Sequence, residues 1–348
     1  MKKFLIKISY TVLPVWLLFV GTVLYISLYA QPRVSGDLGT LGCIPFGHEY
    51  DRMLEKECLQ EVLFKTTETT AELKDVHATV LTIGDSFSQL ANSGYQNYMA
   101  RQGVDVVNCR RDLYINPMLY AYQVLNMGLI DSSRVKYLIV ESVERDFPAY
   151  VFDFDAKREQ TLDLNPAPAE AGEAADGGGA EQGHTYSWSM SRARDVLLYQ
   201  IGRDNPIFTA KLDKDYFSSD EPSKLYFYKK DVREGFGLHA EKAKSMYDAL
   251  CAKAAEKGIQ LLLMVAVDKY DLYQKHIVDN SYPAKTTNED IENTIGTSQR
   301  LVMTKRLLMP MVDKGEKDVF KFNDTHWSYK ASQVVADELV RRMSLMPI

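Results

Sequence analysis

The amino-acid sequence predicts an α/β fold with a mostly parallel sheet, preceded by one N-terminal transmembrane helix. Three observations lead to this prediction. A long uncharged apolar stretch occupies the first 30 residues, short apolar runs rich in β-branched residues recur later, and segments with helical spacing lie between those runs. Strands that alternate with helices are typical of parallel sheets whose faces are covered by helices.

The apolar N-terminal stretch covers residues 8–30 without a formal charge. A helix of that length reaches about 35 Å, which is enough to cross a bilayer core of about 30 Å. Three lysines precede the stretch, and the positive-inside rule then keeps the N-terminus in the cytoplasm. A cleaved signal peptide is the alternative, although Leu28 is a poor match three positions before a cut after Ala30. We therefore expect residues 1–30 to be a single-pass anchor in the cytoplasmic membrane, with the remainder on the periplasmic or extracellular face.

The rest of the chain divides into a stalk and entry segment, residues 31–75, and one α/β domain, residues 76–348. Apolar runs that end in turn signals predict buried strands within this domain. Helical spacing with a proline in the first turn, or a glycine after the last, predicts helices. The predicted strands are 80–83, 104–107, 135–140 and 259–267, and the predicted helices are 117–129 and 240–257.

One segment of the domain has no core composition. Residues 163–185 are dominated by Ala, Gly, Glu and Pro, which predicts a flexible surface insertion. The following block, residues 186–236, is rich in aromatic and charged residues. It is either a lid, a substrate-binding extension or a plain surface insertion.

Composition excludes several classes of function. The chain carries a formal net charge of −6, and beyond residue 30 it has 38 basic against 47 acidic residues, which argues against nucleic-acid binding. None of the four cysteines forms a CxxC pair, and no His/Asp/Glu cluster has ligand spacing, so we expect neither a metal nor a cofactor. Cys43 and Cys58 either form a disulfide or remain unpaired thiols.

Two motifs carry residues suited to nucleophilic chemistry. GDSFS at residues 84–88 follows a predicted strand, so Ser86 would lie at the edge of the sheet where α/β folds bind ligands. A serine hydroxyl needs a neighbouring base. DTHWS at residues 324–328 offers His326 as that base and Asp324 to orient it. Taken singly, each motif also fits an ordinary turn, a capping aspartate or a surface histidine.

Together the two motifs resemble those of the SGNH-hydrolase superfamily, and within it the AlgX and AlgJ group of alginate-type polysaccharide O-acetyltransferases. The resemblance extends over roughly residues 80–343 and includes ESVER at 141–145 and VDKYDLY at 267–273. In the alginate group the Asp/His block precedes the serine, whereas in this chain Ser86 precedes Asp324 by 238 residues. This is the ordinary SGNH order, shared with the membrane-anchored protein DltD.

The resemblance implies a flavodoxin-like three-layer fold in which Ser86 is acylated, His326 is the general base and Asp324 orients it. The backbone N–H of Ser86 is the first candidate for the oxyanion hole. The other candidates for oxyanion or substrate contacts are Arg145, Glu141, Asn92, Asn108, Lys269, Tyr270, Tyr273 and Trp327. Each also has a structural alternative: Arg145 and Glu141 could form an ion pair, and the others could be ordinary core or surface residues.

The function implied is an extracytoplasmic O-acyltransferase that O-acetylates an exopolysaccharide or cell-wall polymer. Acetyl-CoA stays in the cytoplasm, so the expected partners are a polysaccharide acceptor and a multi-spanning membrane acyltransferase that supplies acyl groups. A carbohydrate esterase with the same triad, and a non-catalytic glycan-assembly protein with the same fold, are the alternatives.

Overall fold

The structure, a computed structural model, describes residues 2–25, 33–42, 44, 46–162, 205–232 and 239–346. The insertion predicted at 163–185 lies outside the described residues, as does much of the block at 186–236.

A parallel sheet forms the centre of the domain. The strands of the described residues are β1 (Lys65–Thr67), β2 (Val80–Ile83), β3 (Val106–Cys109), β4 (Tyr137–Val143), β5 (Ile207–Lys211), β6 (Lys224–Tyr228), β7 (Gln260–Ala266) and β8 (Leu301–Met303). Six of them pair in parallel in the order β1-β3-β2-β4-β7-β8, and β5 and β6 form a separate antiparallel pair. Without the edge strand β1, this is the flavodoxin-like order. The fold class predicted from the sequence is confirmed.

The central strands are apolar because helices cover both faces of the sheet. Every residue of β2 and β4 is buried, as expected for a parallel sheet without a solvent face. The helices of the described residues are α1 (Lys2–Tyr25), α2 (Gly36–Gly42), α3 (Glu49–Glu55), α4 (Tyr95–Arg101), α5 (Pro117–Asn126), α6 (Phe147–Lys157), α7 (Ala240–Glu256), α8 (Lys269–Tyr273), α9 (Thr287–Ile295), α10 (Thr304–Asp313) and α11 (Tyr329–Leu345).

Two apolar cores separate the three layers. Buried side chains of α5, α6, α7 and α9 belong to one core, and those of α4, α10 and α11 belong to the other. The helix ends follow local chemistry: the Asn116 side chain accepts hydrogen bonds from the first free N–H groups of α5, and Ser328 does the same for α11. The second cap, Ser328, is the last residue of DTHWS and lies two residues after its histidine, so the motif ends where α11 begins.

Helix α1 is the one helix of the described residues that is long and apolar enough to cross a membrane. Its apolar window is Lys7–Tyr25, 19 residues, none of it buried. A helix of this length spans about 28 Å, close to the thickness of a bilayer core.

The segment after α1 differs from the expected stalk. Leu38 of α2, and Tyr50 and Leu54 of α3, are buried in the same apolar core as α4 and α11. Helices α2 and α3 therefore pack onto the α/β domain. Cys58, just beyond α3, is a free thiol that donates to the Leu54 carbonyl, and Cys43 lies outside the described residues.

The central position of β7 predicts a large cost for truncating its core side chains. Leu263 is fully buried between β4 and β8. We expect Leu263→Ala to lower the free energy of unfolding by about 2–5 kcal/mol, because the lost methyl groups leave a cavity. Chemical denaturation of the full chain in detergent measures this change. Leu345→Ala, at a residue 52% exposed, is the control and should change stability by no more than about 0.5 kcal/mol; equal losses in both variants would contradict the assigned core.

Candidate active site

Ser86 begins a short 3-10 turn, Ser86–Ser88, directly after β2. The turn lies at the carboxyl end of the strand, beside β4, where the strand order of a flavodoxin-like sheet reverses. A glycine precedes it for steric reasons: a Cβ on Gly84 would lie 2.1 Å from Ser88 Oγ and 2.6 Å from Glu141 Oε2. The tight turn leaves Ser86 half-buried and open to the end of the sheet.

The Asp85 side chain points away from the hydroxyl of its neighbour and ties β2 to β4. Its carboxylate accepts hydrogen bonds from the Val143 N–H at 3.0 Å and the Tyr150 hydroxyl at 2.9 Å, and it pairs with Arg111 at 3.2 Å. Burial raises the pKa of Asp85 to about 6, although Arg111 and the Val143 N–H oppose the rise. Asp85 therefore fixes the backbone that carries Ser86.

Glu141 lies beneath the same turn. It is fully buried in β4 and accepts a hydrogen bond from Ser88 Oγ at 2.9 Å, and the Tyr95 hydroxyl lies 2.9 Å from that oxygen. Burial, reinforced by the Asp85 carboxylate, raises the pKa of Glu141 to about 8, so this carboxyl is mostly neutral at pH 7. Glu141 supports the serine turn from below and is not the partner of Arg145, contrary to the ion pair considered from the sequence.

His326 lies on a loop that we call the histidine loop, residues 320–328, directly before α11. Its Nε2 atom is 2.7 Å from Ser86 Oγ, and its Nδ1 atom is 2.7 Å from Asp324 Oδ1. Asp324 Oδ1 also accepts the His326 backbone N–H at 3.0 Å. A carboxylate only accepts, so Nδ1 carries a proton, and in the neutral imidazole Nε2 is the nitrogen that can accept the Ser86 hydroxyl proton. The structure thus brings together the three residues that the motifs predict, while their catalytic role stays a prediction.

A second carboxylate contacts the same imidazole. Asp37 of α2 places its Oδ2 atom 3.1 Å from His326 Nδ1 and accepts a hydrogen bond from Thr325 Oγ1 at 2.9 Å. Sequence reasoning missed this residue, because 289 residues separate it from the histidine and no motif surrounds it. One N–H of the imidazole therefore faces two carboxylates.

These contacts determine the charges of His326 and Asp324. Burial opposes the charged form of His326, but Asp324 and then Asp37 outweigh it and raise the pKa of the imidazole to about 9. Burial likewise acts against ionised Asp324, yet His326 and Lys321 outweigh it and hold the pKa of that carboxyl well below its usual range. At pH 7 the resting pair is therefore mostly imidazolium and carboxylate.

Lys269 contacts the histidine loop from inside the domain. Its Nζ atom donates to the carbonyl oxygens of Lys321 at 2.7 Å, Phe322 at 2.8 Å and Asp324 at 3.2 Å. Burial lowers the pKa of Lys269 to about 7. Contrary to the expected glycan contact, this lysine is 1% exposed and stabilises the loop that carries the imidazole.

The three aromatic candidates are also interior residues, so the expected glycan contacts are not supported. Tyr270 donates its hydroxyl to the Pro283 carbonyl at 2.8 Å. Tyr273 is fully buried among the aromatic rings of the core, and the Trp327 ring lies 4.4 Å from that of Phe87. Their size is used for packing behind the site.

The remaining candidates lie outside the triad contacts. Arg145 pairs with Asp268 at 2.7 Å and with Asp231 at 3.6 Å, which makes it part of a buried ion network and not an oxyanion donor. Asn108 uses its amide with Thr82 and Gln89, and the half-buried Asn92 accepts a hydrogen bond from the Asn97 side chain at its own carbonyl. The backbone N–H of Ser86 remains the first donor candidate, because the first N–H of a helical turn has no partner within that turn.

The arrangement is suited to nucleophilic acyl transfer: a half-exposed hydroxyl, a base within hydrogen-bond distance, and a carboxylate on the far side of the base. One carboxylate oxygen each of Asp37 and Asp324 and one ring nitrogen of His326 also lie within 4.8 Å of one another. The distance between Asp37 and the other two residues along the sequence gives no sign of this cluster. Their mutual hydrogen bonds account for this cluster.

A comparison with protein families gives one match. Residues 225–347 match the family model described as SGNH hydrolase-like domain, acetyltransferase AlgX, and this region runs from β6 through the histidine loop to α11. No curated protein matches the chain. The Ser86 turn precedes the matched region but lies on the same parallel sheet, in hydrogen-bond contact with its histidine. The match supports an SGNH hydrolase-like, AlgX-like assignment for this carboxy-terminal part of the chain.

Proposed function

We propose that this protein is an O-acyltransferase that works through an acyl-serine intermediate on Ser86. The observation that carries the proposal is the 2.7 Å distance between Ser86 Oγ and His326 Nε2, with Asp324 on the opposite ring nitrogen. The match to an acetyltransferase family supports acetyl as the group transferred.

In the first half-reaction Ser86 Oγ attacks the carbonyl carbon of the acyl donor while His326 Nε2 takes the hydroxyl proton. The Ser86 N–H donates to the oxyanion of the tetrahedral intermediate. The bond to the leaving group then breaks, and His326 returns the proton to that group. In the second half-reaction an acceptor hydroxyl gives its proton to His326 and attacks the acyl-serine; the ester bond to Ser86 Oγ then breaks, and His326 returns the proton to that oxygen.

The acceptor we propose is a polysaccharide, an exopolysaccharide or cell-wall polymer, outside the cytoplasmic membrane. An apolar helix of membrane-spanning length with lysines before it supports this location. A single span has no path for carrying an acyl group across a bilayer. We therefore propose a multi-spanning membrane acyltransferase as the partner that supplies the donor.

The same three residues would also hydrolyse an ester if water replaced the sugar hydroxyl in the second half-reaction. A carbohydrate esterase is thus the neighbouring function, and the acceptor decides between the two.

Replacing the nucleophile is the first test. We expect Ser86→Ala to lower turnover of a chromogenic acetyl ester by at least about 10³-fold, because the acyl-serine can no longer form. Mass spectrometry should find an acetyl group on the Ser86 peptide of the wild-type chain alone. Ser344→Ala, at an exposed position near the end of α11, is the control. Full turnover by Ser86→Ala would overturn the assignment.

Adding an acceptor tests transfer against hydrolysis. With an oligosaccharide present, acetyl ester should appear on the sugar as free acetate decreases, because the sugar hydroxyl and water compete for the same acyl-serine. Mass spectrometry of the sugar and an acetate assay measure the partition. Acetate release that no glycan diverts would favour the esterase.

The pH dependence follows from the raised pKa of His326. Only the neutral imidazole accepts a proton, so kcat/KM should rise by about tenfold per pH unit below the pKa and level off above about 9. Initial rates between pH 6 and 10, corrected for hydrolysis without enzyme, measure the profile. A midpoint near the usual histidine pKa of about 6.5 would contradict the strong carboxylate contact.

A further inference from the structure

We propose that the linker segment, residues 33–42 after the membrane helix, is part of the active site, with Asp37 as a positioning residue for His326. The effect on rate rests on the proposed function. The effect on the histidine itself does not, since it follows from contacts alone.

The backbone of the linker segment contacts the residue next to Asp324. The N–H groups of Leu38 and Gly39 point to the Asn323 carbonyl at 3.1 and 3.4 Å, and the Asn323 side-chain amide donates to Ser35 Oγ at 2.7 Å. Asn323 is fully buried. The linker segment and the histidine loop therefore share one hydrogen-bond network at the base of the triad.

This contact requires a glycine at residue 36. Gly36 has a φ of +72°, which side chains rarely adopt, and a Cβ there would lie 2.2 Å from the Asn323 carbonyl oxygen. Gly258 has nearly the same φ, +70°, with no atom within 4 Å of its Cβ position, and it precedes β7 at the amino end of the sheet, opposite the site. A comparison of alanine substitutions at these two glycines therefore distinguishes the effect of the close contact with the histidine loop from the effect of backbone strain.

Asp37 contacts the imidazole from the side of the linker segment. Its Oδ2 atom is 3.1 Å from His326 Nδ1 and also accepts from Thr325 Oγ1, so the carboxylate is itself fixed in place. Asp324 lies 2.7 Å from the same nitrogen. Two fixed acceptors restrict rotation of the ring, and both stabilise the imidazolium formed when Ser86 loses its proton.

Other charged groups around the ring belong to different elements. Glu141 of β4 faces the imidazole from below and is mostly neutral at pH 7. Lys321 and Lys269 act on the Asp324 carboxylate. Removal of Asp37 thus leaves Asp324 as the remaining anion on the ring nitrogen.

The direct test is an NMR titration of His326 in the full chain. The chain has six histidines, and His326→Gln identifies the signal. We expect Asp37→Asn to lower the pKa of His326 by roughly one unit or more, because an opposite charge beside the ring is lost. Glu49→Gln removes one charge from an exposed position of α3 and should leave the pKa unchanged. An unchanged pKa in Asp37→Asn would overturn the proposal, whether or not the chain has acyltransferase activity.

Rates test the positioning role. In Asp37→Asn the plateau of kcat/KM should fall by about tenfold or more, and the midpoint of the pH profile should move to lower pH. A purely structural effect would lower the plateau without moving the midpoint, and that outcome would contradict a role on the imidazole. An inactive wild-type chain would instead refute the proposed function and leave the titration to decide on Asp37.

The glycine pair provides a variant that keeps Asp37 itself. Gly36→Ala should displace the linker segment and reproduce the pKa shift of Asp37→Asn, because the alanine meets the Asn323 carbonyl. Gly258→Ala should introduce comparable backbone strain far from the linker segment and leave the His326 titration as in the wild type. Identical titrations for both glycine variants would show that the linker segment does not control the imidazole.

Discussion

The central constraint of this structure is one imidazole held between a hydroxyl and two carboxylates. His326 contacts Ser86 through one ring nitrogen, and Asp324 and Asp37 through the other. A buried imidazolium is costly without anions nearby, so the ring needs these neighbours to remain charged in the interior. The elements around the site serve this arrangement: β2 and its turn fix the serine, and α11 and the linker segment fix the loop.

Buried polar groups that take no part in the triad maintain this geometry. Asp85 joins the ends of β2 and β4, and Glu141 supports the serine turn through Ser88. Lys269 donates to three carbonyl groups of the histidine loop. Each makes hydrogen bonds that a buried polar group requires, so the loss of one would leave its partners unsatisfied.

The parts of the fold visible in the sequence are those with local signals. The predominantly apolar runs of β2, β4 and β7 predict buried parallel strands, whereas β1 and β8, with three residues each, are too short for a periodic pattern. The two motifs predict the serine and histidine because their order along the chain matches a known arrangement. Asp37 carries no such signal, since only the folded chain brings a residue of the apparent stalk to the ring.

The misassigned side chains have a common physical cause. Lys269, Tyr270, Tyr273 and Trp327 are amphipathic, and a sequence does not say whether such a side chain turns toward solvent or inward. Here all four pack inside the domain. The Lys269 ammonium and the Tyr270 hydroxyl bond to interior carbonyl groups, whereas the Tyr273 hydroxyl and the Trp327 ring N–H are buried without a hydrogen-bond partner among the described residues. Arg145 is likewise drawn into a network with Asp268, which lies far from it in the sequence.

The short chain between α1 and the linker segment limits how far the α/β domain can lie from the end of α1. From Tyr25 to Arg33 there are eight peptide units, which extend at most about 28 Å. With α1 embedded in a bilayer, the serine would operate within a thin layer above the lipid headgroups. Under the proposed acyltransferase function, an acceptor would therefore have to approach the membrane surface to reach Ser86.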